Sequence, residues 1–288
     1  MAVTTTLFPG TGTGAQLMAT RWTNTLEDAV YDDLVFASNI RDVGAPWNSL
    51  KLRKVARQSY STLDQSTGDG SGLTYAGLGD TAVTLTGPTG IYLAAAFSEN
   101  LIAQLDLSAD GPFRQNCESG MSESIDFICL SDVPSLTQNG TSAYANPIDG
   151  STLRNAVSVL RTTARSKAEP GKADMHFVVD STRWQDLPGL PEVSHAHILG
   201  VQNGPQRTGL FVEALGCTLH FSASVNKTGA GSDNPLFVPS AFGIGYNQRP
   251  MVRVETVELN HRIICYANFA HGIIHDVRAV NIKASKSL

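Results

Sequence analysis

An α+β fold, with a few helices set among many strands, is what this 288-residue chain predicts, on three observations. Two stretches, Phe113–Leu130 and Ser151–Lys167, carry apolar residues at helical spacing. Strand-like segments, alternating or continuously apolar, fill most of the remainder. Two strand-like arms also flank a turn-rich centre at Asp64–Gly72, which reads as a long hairpin. The hydrophobic fraction of 42% is ordinary for a globular chain and suffices for one large core or two modest ones. Charged residues make up 16%, below the usual fraction of about a quarter, which points to extensive subunit contacts. The formal net charge of −5 argues against electrostatic wrapping of nucleic acid, but not against enclosing it.

Met1–Thr20 has no charge before Arg21 and is rich in Thr and Gly, so it reads as an extended arm. Gly10–Ala15 also fits the GxGxxA variant of a dinucleotide fingerprint. Pro9 interrupts the strand-to-turn passage, and no second buried strand ending in an acid comes after it, so the arm reading is preferred over an NAD(P)-dependent enzyme. Asn24–Ala37 places Leu26, Val30, Leu34 and Val35 on one helical face, and Gly44, Pro46 and Asn48 keep the helix from continuing through Arg41–Leu50.

The hairpin spans Lys51–Thr86. Its first arm carries Lys51, Arg53, Lys54 and Arg57, and its second, Thr81–Thr86, alternates small polar with apolar residues. A two-stranded ribbon this poor in apolar groups is marginal alone, so something outside it must cover it. Gly87–Gly90 ends the hairpin, and Ile91–Phe97 reads as a buried strand or helix start.

Pro112 opens the central helix and Pro134 stops it, with Phe113, Cys117, Met121, Ile125, Ile128 and Cys129 forming its apolar stripe. About 20 helical residues span roughly 30 Å. Ser135–Gly150 is loop and marks a domain boundary. Beyond it, Leu153, Val157 and Leu160 define the second helix, with Arg161, Arg165 and Lys167 in its last turns and Pro170-Gly171 as its stop. Met175–Asp180 is a buried strand, Ser181 caps a short helix reaching Leu187, and His197–Val201 and Gly209–Val225 are strand-like. Lys227–Pro235 reads as a loop. Met251–Val257, Arg262–Phe269 and Gly272–Ile282 read as strands, the last two as a meander returning onto the central helix.

No G-x-S-x-G elbow, P-loop or HExxH occurs, and isolated Ser, His and Asp residues imply no triad. His195 and His197 are spaced to share one strand face, and His271 and His275 one helix face, but neither pair has well-placed carboxylate companions. Polar surface or satisfied interior histidine is the expectation for both. Cys117, Cys129, Cys217 and Cys265 lack metal-type spacing and read as buried free thiols. Asn139-Gly-Thr141 and Asn226-Lys-Thr228 match the glycosylation pattern and read as ordinary loop residues. There is no signal-peptide pattern, and the longest apolar run, Ile91–Phe97, cannot span a bilayer, so the protein is expected to stay inside the cell until assembly. The basic run Lys51–Arg57 is too short for a nucleic-acid reader. The reading is of a structural protein and not an enzyme, with no catalytic, cofactor-binding or metal residues.

The order of parts, with SIDFICL at Ser124–Leu130, VVDSTRWQDL at Val178–Leu187 and the closing HDVRAVNIKAS, resembles the HK97-fold major capsid proteins of tailed bacteriophages. That resemblance covers nearly the whole chain. It implies an N-terminal arm with a short helix (1–49), an extended loop (50–97), a peripheral domain with a spine helix (98–143), an axial domain (144–236) and returning peripheral strands (237–288). It further implies pentamers and hexamers closing an icosahedral shell around double-stranded DNA, assembled in the host cytoplasm and ending in the virion. The implied partners are other copies, a portal, a separate scaffolding protein and, as an open addition, a decoration protein. The scaffold is expected to be separate because no long charged helical segment precedes the fold. Some members join neighbours by a lysine–asparagine bond, but Lys51 and Lys54 lie at the hairpin base and its tip has no lysine, so that chemistry is not carried over. A nanocompartment shell of the same fold, holding enzyme cargo, is the alternative. A jelly roll is disfavoured because two helices interrupt the strands.

Overall fold

Helical spacing at Cys117, Met121, Ile125 and Cys129 becomes helix α1 (Pro112–Leu130), with all four side chains buried and Gln115, Ser119, Glu123 and Phe127 exposed. In this computed structural model the described residues are 26, 29–30, 33–44, 51–55, 80–98, 112–140, 144, 147–163, 175–187, 213–214, 217–229, 231–257 and 260–285. Pro134, the expected stop, lies in a 3-10 turn at Val133–Ser135. Helix α2 (Gly150–Thr163) buries Leu153, Ala156, Val157 and Leu160. Asp149 caps it, accepting from Thr152 N at 2.6 Å and Ser151 Oγ at 3.0 Å, and hydrogen bonding from the Thr152 hydroxyl and amide, with a smaller part from Ser151, holds the carboxyl below its usual range.

The strands, in chain order, are β1 (Arg41–Asp42), β2 (Lys51–Val55), β3 (Asp80–Thr84), β4 (Thr86–Ser98), β5 (His176–Asp180), β6 (Glu213–Ala214), β7 (Cys217–Ser222), β8 (Lys227–Thr228), β9 (Gly231–Phe237), β10 (Phe242–Val257), β11 (Asn260–Ile273) and β12 (Ala279–Ser285). Among the described residues they form three sheets. The first has order β1-β10-β11-β4, antiparallel except for β1 beside β10. The second has order β12-β9-β5-β7-β6, with β8 also on β9. The third is β2 with β3 alone, in register from Lys51↔Thr84 to Val55↔Asp80, which is the base of the expected hairpin. Its tip, Asp64–Gly72, lies outside the described residues.

Several expectations change. Gly87–Gly90 does not end the hairpin but runs inside β4, where the register slips by one residue opposite Ala270. Pro88 is tolerated there because β4 is an edge strand and the slip is a bulge. Gly209–Val225 contains two strands, β6 and β7, joined as a hairpin. The short helix after β5 is a 3-10 turn, Ser181–Asp186, and Asp180, rather than Ser181, accepts from Thr182 N (3.2 Å) and Thr182 Oγ1 (3.0 Å).

The largest correction concerns Lys227–Pro235, expected as loop, where β9 is buried along its whole length. Its polar residues are satisfied internally. Asp233 accepts from Tyr144 Oη, Asn226 Nδ2 and Asn281 Nδ2 at 2.8–3.0 Å, and Asn234 Oδ1 accepts from Asp180 N at 2.9 Å. Pro235 sits opposite Asn281, whose own backbone bonds point away to Gln138 and Gly140, so no ladder bond to β12 needs a Pro235 N–H. Gly231 is required by close approach, since a Cβ there would lie 1.8 Å from the Ala284 carbonyl oxygen.

The expected meander of Arg262–Phe269 with Gly272–Ile282 does not form either. β11 pairs instead with β10 and β4, while β12 leaves that sheet through a 3-10 turn at Asp276–Arg278 and pairs with β9. Alternation along the second sheet then divides the core. Phe177, Val179, Leu236, Val280 and Ile282 pack with α2, whereas Val178, Phe237 and Ala279 join the core of α1 and the first sheet.

The junction of those two cores is aromatic. Phe36 lies edge-on to Phe237 (5.0 Å) and Phe242 (5.2 Å), which lie 5.5 Å from each other. Phe36 is set there by α1, because the buried Asp126 carboxylate accepts from the amides of Val35 (2.8 Å), Phe36 (3.2 Å) and Ala37 (2.8 Å). Burial pushes this carboxyl above its usual range, and the three amide bonds pull it back. Asp126→Ala strands those amides without a partner. It is expected to destabilise the unassembled subunit by about 3 kcal/mol, read as a lower urea midpoint at unchanged slope.

Candidate functional site

Two of the exposed large apolar side chains, Tyr92 and Leu93, lie together on the first sheet. Ile91–Phe97, expected to be buried, forms the middle of edge strand β4, with Tyr92 74% and Leu93 38% exposed. The run reads as core because its residues are apolar, but an edge strand has a neighbour on one side only. Leu93 leans toward α1, where a Cβ on Gly120 would lie 3.1 Å from its Cδ1. Tyr92, Ala94 and Ala96 share the opposite face. There Tyr92 lies across from Tyr266 and Met251, and Ala94 across from Ile264 and Arg253, giving a partly exposed apolar row bordered by arginine. Next to it in sequence, the β2–β3 ribbon pairs among the described residues with no strand but itself, and its foot is pinned where Leu85 packs on Ala270 and Ile274. A second open patch is a groove of about 320 Å³ lined by Glu123, Ser124, the exposed Phe127, Ala223 and Ser224.

Residues weighed for chemistry do not converge. Gly10–Ala15 and the pair His195 and His197 lie outside the described residues. His271 and His275 do not share a helix face: His271 is buried in β11 with Nδ1 2.8 Å from Asp132 Oδ2, and His275 precedes the 3-10 turn. Among the described residues no group of three His, Cys, Asp or Glu side chains is placed to hold a metal ion. The four cysteines are free and buried, as the sequence suggested. Among the described residues no helix is long and apolar enough to cross a membrane.

One histidine pair is not evident from sequence spacing. His176 on β5 and His220 on β7 point to the same face of the second sheet, with Nδ1 and Nε2 3.0 Å apart. The signal available in the sequence is the polar alternation of Thr218, His220 and Ser222 within an otherwise apolar strand. One nitrogen donates and the other accepts, so the contact needs both rings neutral or one proton shared. Burial holds His220 below its ordinary range, and the neighbouring His176 charge adds to this. A lowered folded value means that the unfolded chain takes up protons first. The contribution is therefore complete above the unfolded value of 6.5 and is lost as pH falls through the lowered one. The melting temperature of wild type relative to His220→Gln is thus expected to fall on acidification from about pH 7 to 5, measured on unassembled subunits.

No family model and no curated protein matches the chain. Solved structures do. A chain of Mycobacterium phage Che8 superposes with a TM-score of 0.66 at 16% identity, covering 86% of this chain and 90% of that one. The head structure of Helicobacter pylori bacteriophage KHP40 gives 0.62 at 13%, covering 85% and 86%. The virus-like particle from Pyrococcus furiosus gives 0.58 at 8%, covering 92% and 99%. The chain therefore has the HK97-like α+β fold that the order of its segments implied.

Proposed function

We propose that this chain is a major capsid protein, a structural subunit that closes into the icosahedral shell of a tailed bacteriophage. The observation that carries the reading is the ribbon: among the described residues β2 and β3 make a sheet of their own, beside an edge strand that presents Tyr92 and Leu93 to solvent. A lone two-stranded ribbon is marginal in water, and a second molecule supplies the surface it lacks. The likeness to the KHP40 head and to the Che8 chain supports the same conclusion.

In this reading residues 50–97 are the extended loop laid on an adjacent copy and 1–49 the arm reaching another. Residues 98–143 and 237–288 make the peripheral domain, with α1 as its spine, and 144–236 the axial domain at the centre of pentamers and hexamers. The shell encloses double-stranded DNA without reading it, which a chain of net charge −5 suits. Scaffolding protein and portal are separate chains with a decoration protein as an open addition, assembly takes place in the host cytoplasm, and the subunit performs no catalysis. The likeness to the Pyrococcus furiosus particle favours a second reading, a nanocompartment shell holding enzyme cargo. Packaged DNA in native particles separates the two.

Repetition makes the contact testable, because a loss of about 1.4 kcal/mol per contact lowers each association constant tenfold. Expressed with a scaffolding protein, the wild type is expected to give closed shells by negative-stain microscopy. Tyr92→Arg is expected to cut their yield at least about tenfold while leaving the far-ultraviolet spectrum unchanged. A wild-type chain that stays monomeric at high concentration with the scaffold present would overturn the reading.

A further inference from the structure

Helix α1 rests on the first sheet at a defined place. Gly120 abuts Leu93 on β4, and Leu93 is the register partner of Cys265 on β11. One helical turn before Gly120 lies Cys117, buried on the same stripe as Met121 and part of the same core as Cys265. The two thiols are within hydrogen-bonding reach of each other across this helix–sheet contact.

We propose that Cys117 and Cys265 form an oxidation site, at which an oxidant of the peroxide class converts the thiol pair into a disulfide that ties α1 to β11. The Cys117 thiolate attacks one peroxide oxygen, the O–O bond breaks, and hydroxide leaves and takes up the proton that Cys117 released, forming the first water and a sulfenic acid. The Cys265 sulfur then displaces the sulfenic hydroxyl, which departs as water with the thiol proton. Two thiols have lost two electrons, and one peroxide has become two waters. The hydrogen bond between the two thiols, together with burial, sets the order of these events. The hydrogen bond from Cys265 holds the Cys117 thiol below its usual range, whereas Cys265 is pushed up by that same bond and by burial. Glu118 opposes ionisation of both. Burial pushes Cys129 up and Cys217 to about 12, so these stay protonated and slow to react. In a reducing cytoplasm the pair remains as thiols, and in oxidising surroundings the link closes. This inference is independent of the shell reading.

The test exposes the native full-length protein to hydrogen peroxide, then denatures it, blocks remaining thiols and maps the peptides by mass spectrometry. The expected result is a loss of about 2 Da, for two hydrogens, with a single linked pair joining the Cys117 and Cys265 peptides. The melting temperature is expected to rise by roughly 5 °C, reversed by a reducing agent. Cys117→Ser and Cys265→Ser should each abolish both effects. Linked pairs involving Cys129 or Cys217 would overturn the assignment. So would Cys117 driven to sulfinic acid beside a free Cys265, or a link that appears only in urea. Should either serine variant fail to fold, the wild-type peptide map decides by itself.

Discussion

A triangle of phenylalanine rings is what makes two sheets into one body. Phe237 closes β9 of the second sheet, Phe242 opens β10 of the first, and Phe36 packs on both from a segment some two hundred residues earlier in the chain. Edge-on packing of three buried rings fixes the angle between the sheets more tightly than aliphatic contact would. Yet Phe36 has no strand to hold it. Its position is set by one carboxylate on α1, which takes three successive amides that a turn of backbone would otherwise bury without partners. The helix thus does two things: its apolar stripe covers the first sheet, and its buried Asp126 aligns the element that joins the first sheet to the second.

The two faces of the second sheet differ in kind. Toward α2 it is mostly apolar, with Phe177, Val179, Leu219, Leu236, Val280 and Ile282, while its other face carries the partly buried His176 and His220 and the buried Asp180 and Asp233. Each is answered locally: Lys227 reaches Asp180 at 3.1 Å, and three donors surround Asp233. Such a network specifies register strictly, because a slip of one residue along β9 would turn Asp233 into the aliphatic core. The first sheet is made differently, with long strands, an apolar inner face and an outer face left partly bare at Tyr92.

Local signals carried the helices. The period of Cys117, Met121, Ile125 and Cys129 and the bracketing prolines gave α1, and the alternation at residues 81–84 gave the second arm of the ribbon. The features that escaped depend on partners remote in sequence. Gly-Ser-Asp-Asn-Pro is turn-forming by every local rule, and it becomes a buried strand only because Tyr144 and Asn281 complete its bonds. The exposure of Tyr92 escaped for a related reason, since an apolar run does not announce whether its strand is central or at an edge. Pro88 was the one hint, being tolerated only where a ladder has a free side. The meeting of His176 with His220 likewise required knowing that β5 and β7 lie side by side.

The destination of β12 has a kinetic consequence. Strands from residues 176–237 wait for residues 279–285 to seal their open margin, and until then Asp233 is short of a donor that only Asn281 supplies. A nascent polypeptide emerging from the ribosome can therefore shape α2 and its neighbours early, but closure is a late, long-range event of the kind that slows folding. Until this step an incomplete chain shows a raw β9 margin to its fellows, so closure by β12 removes an edge by which immature copies would otherwise stick together.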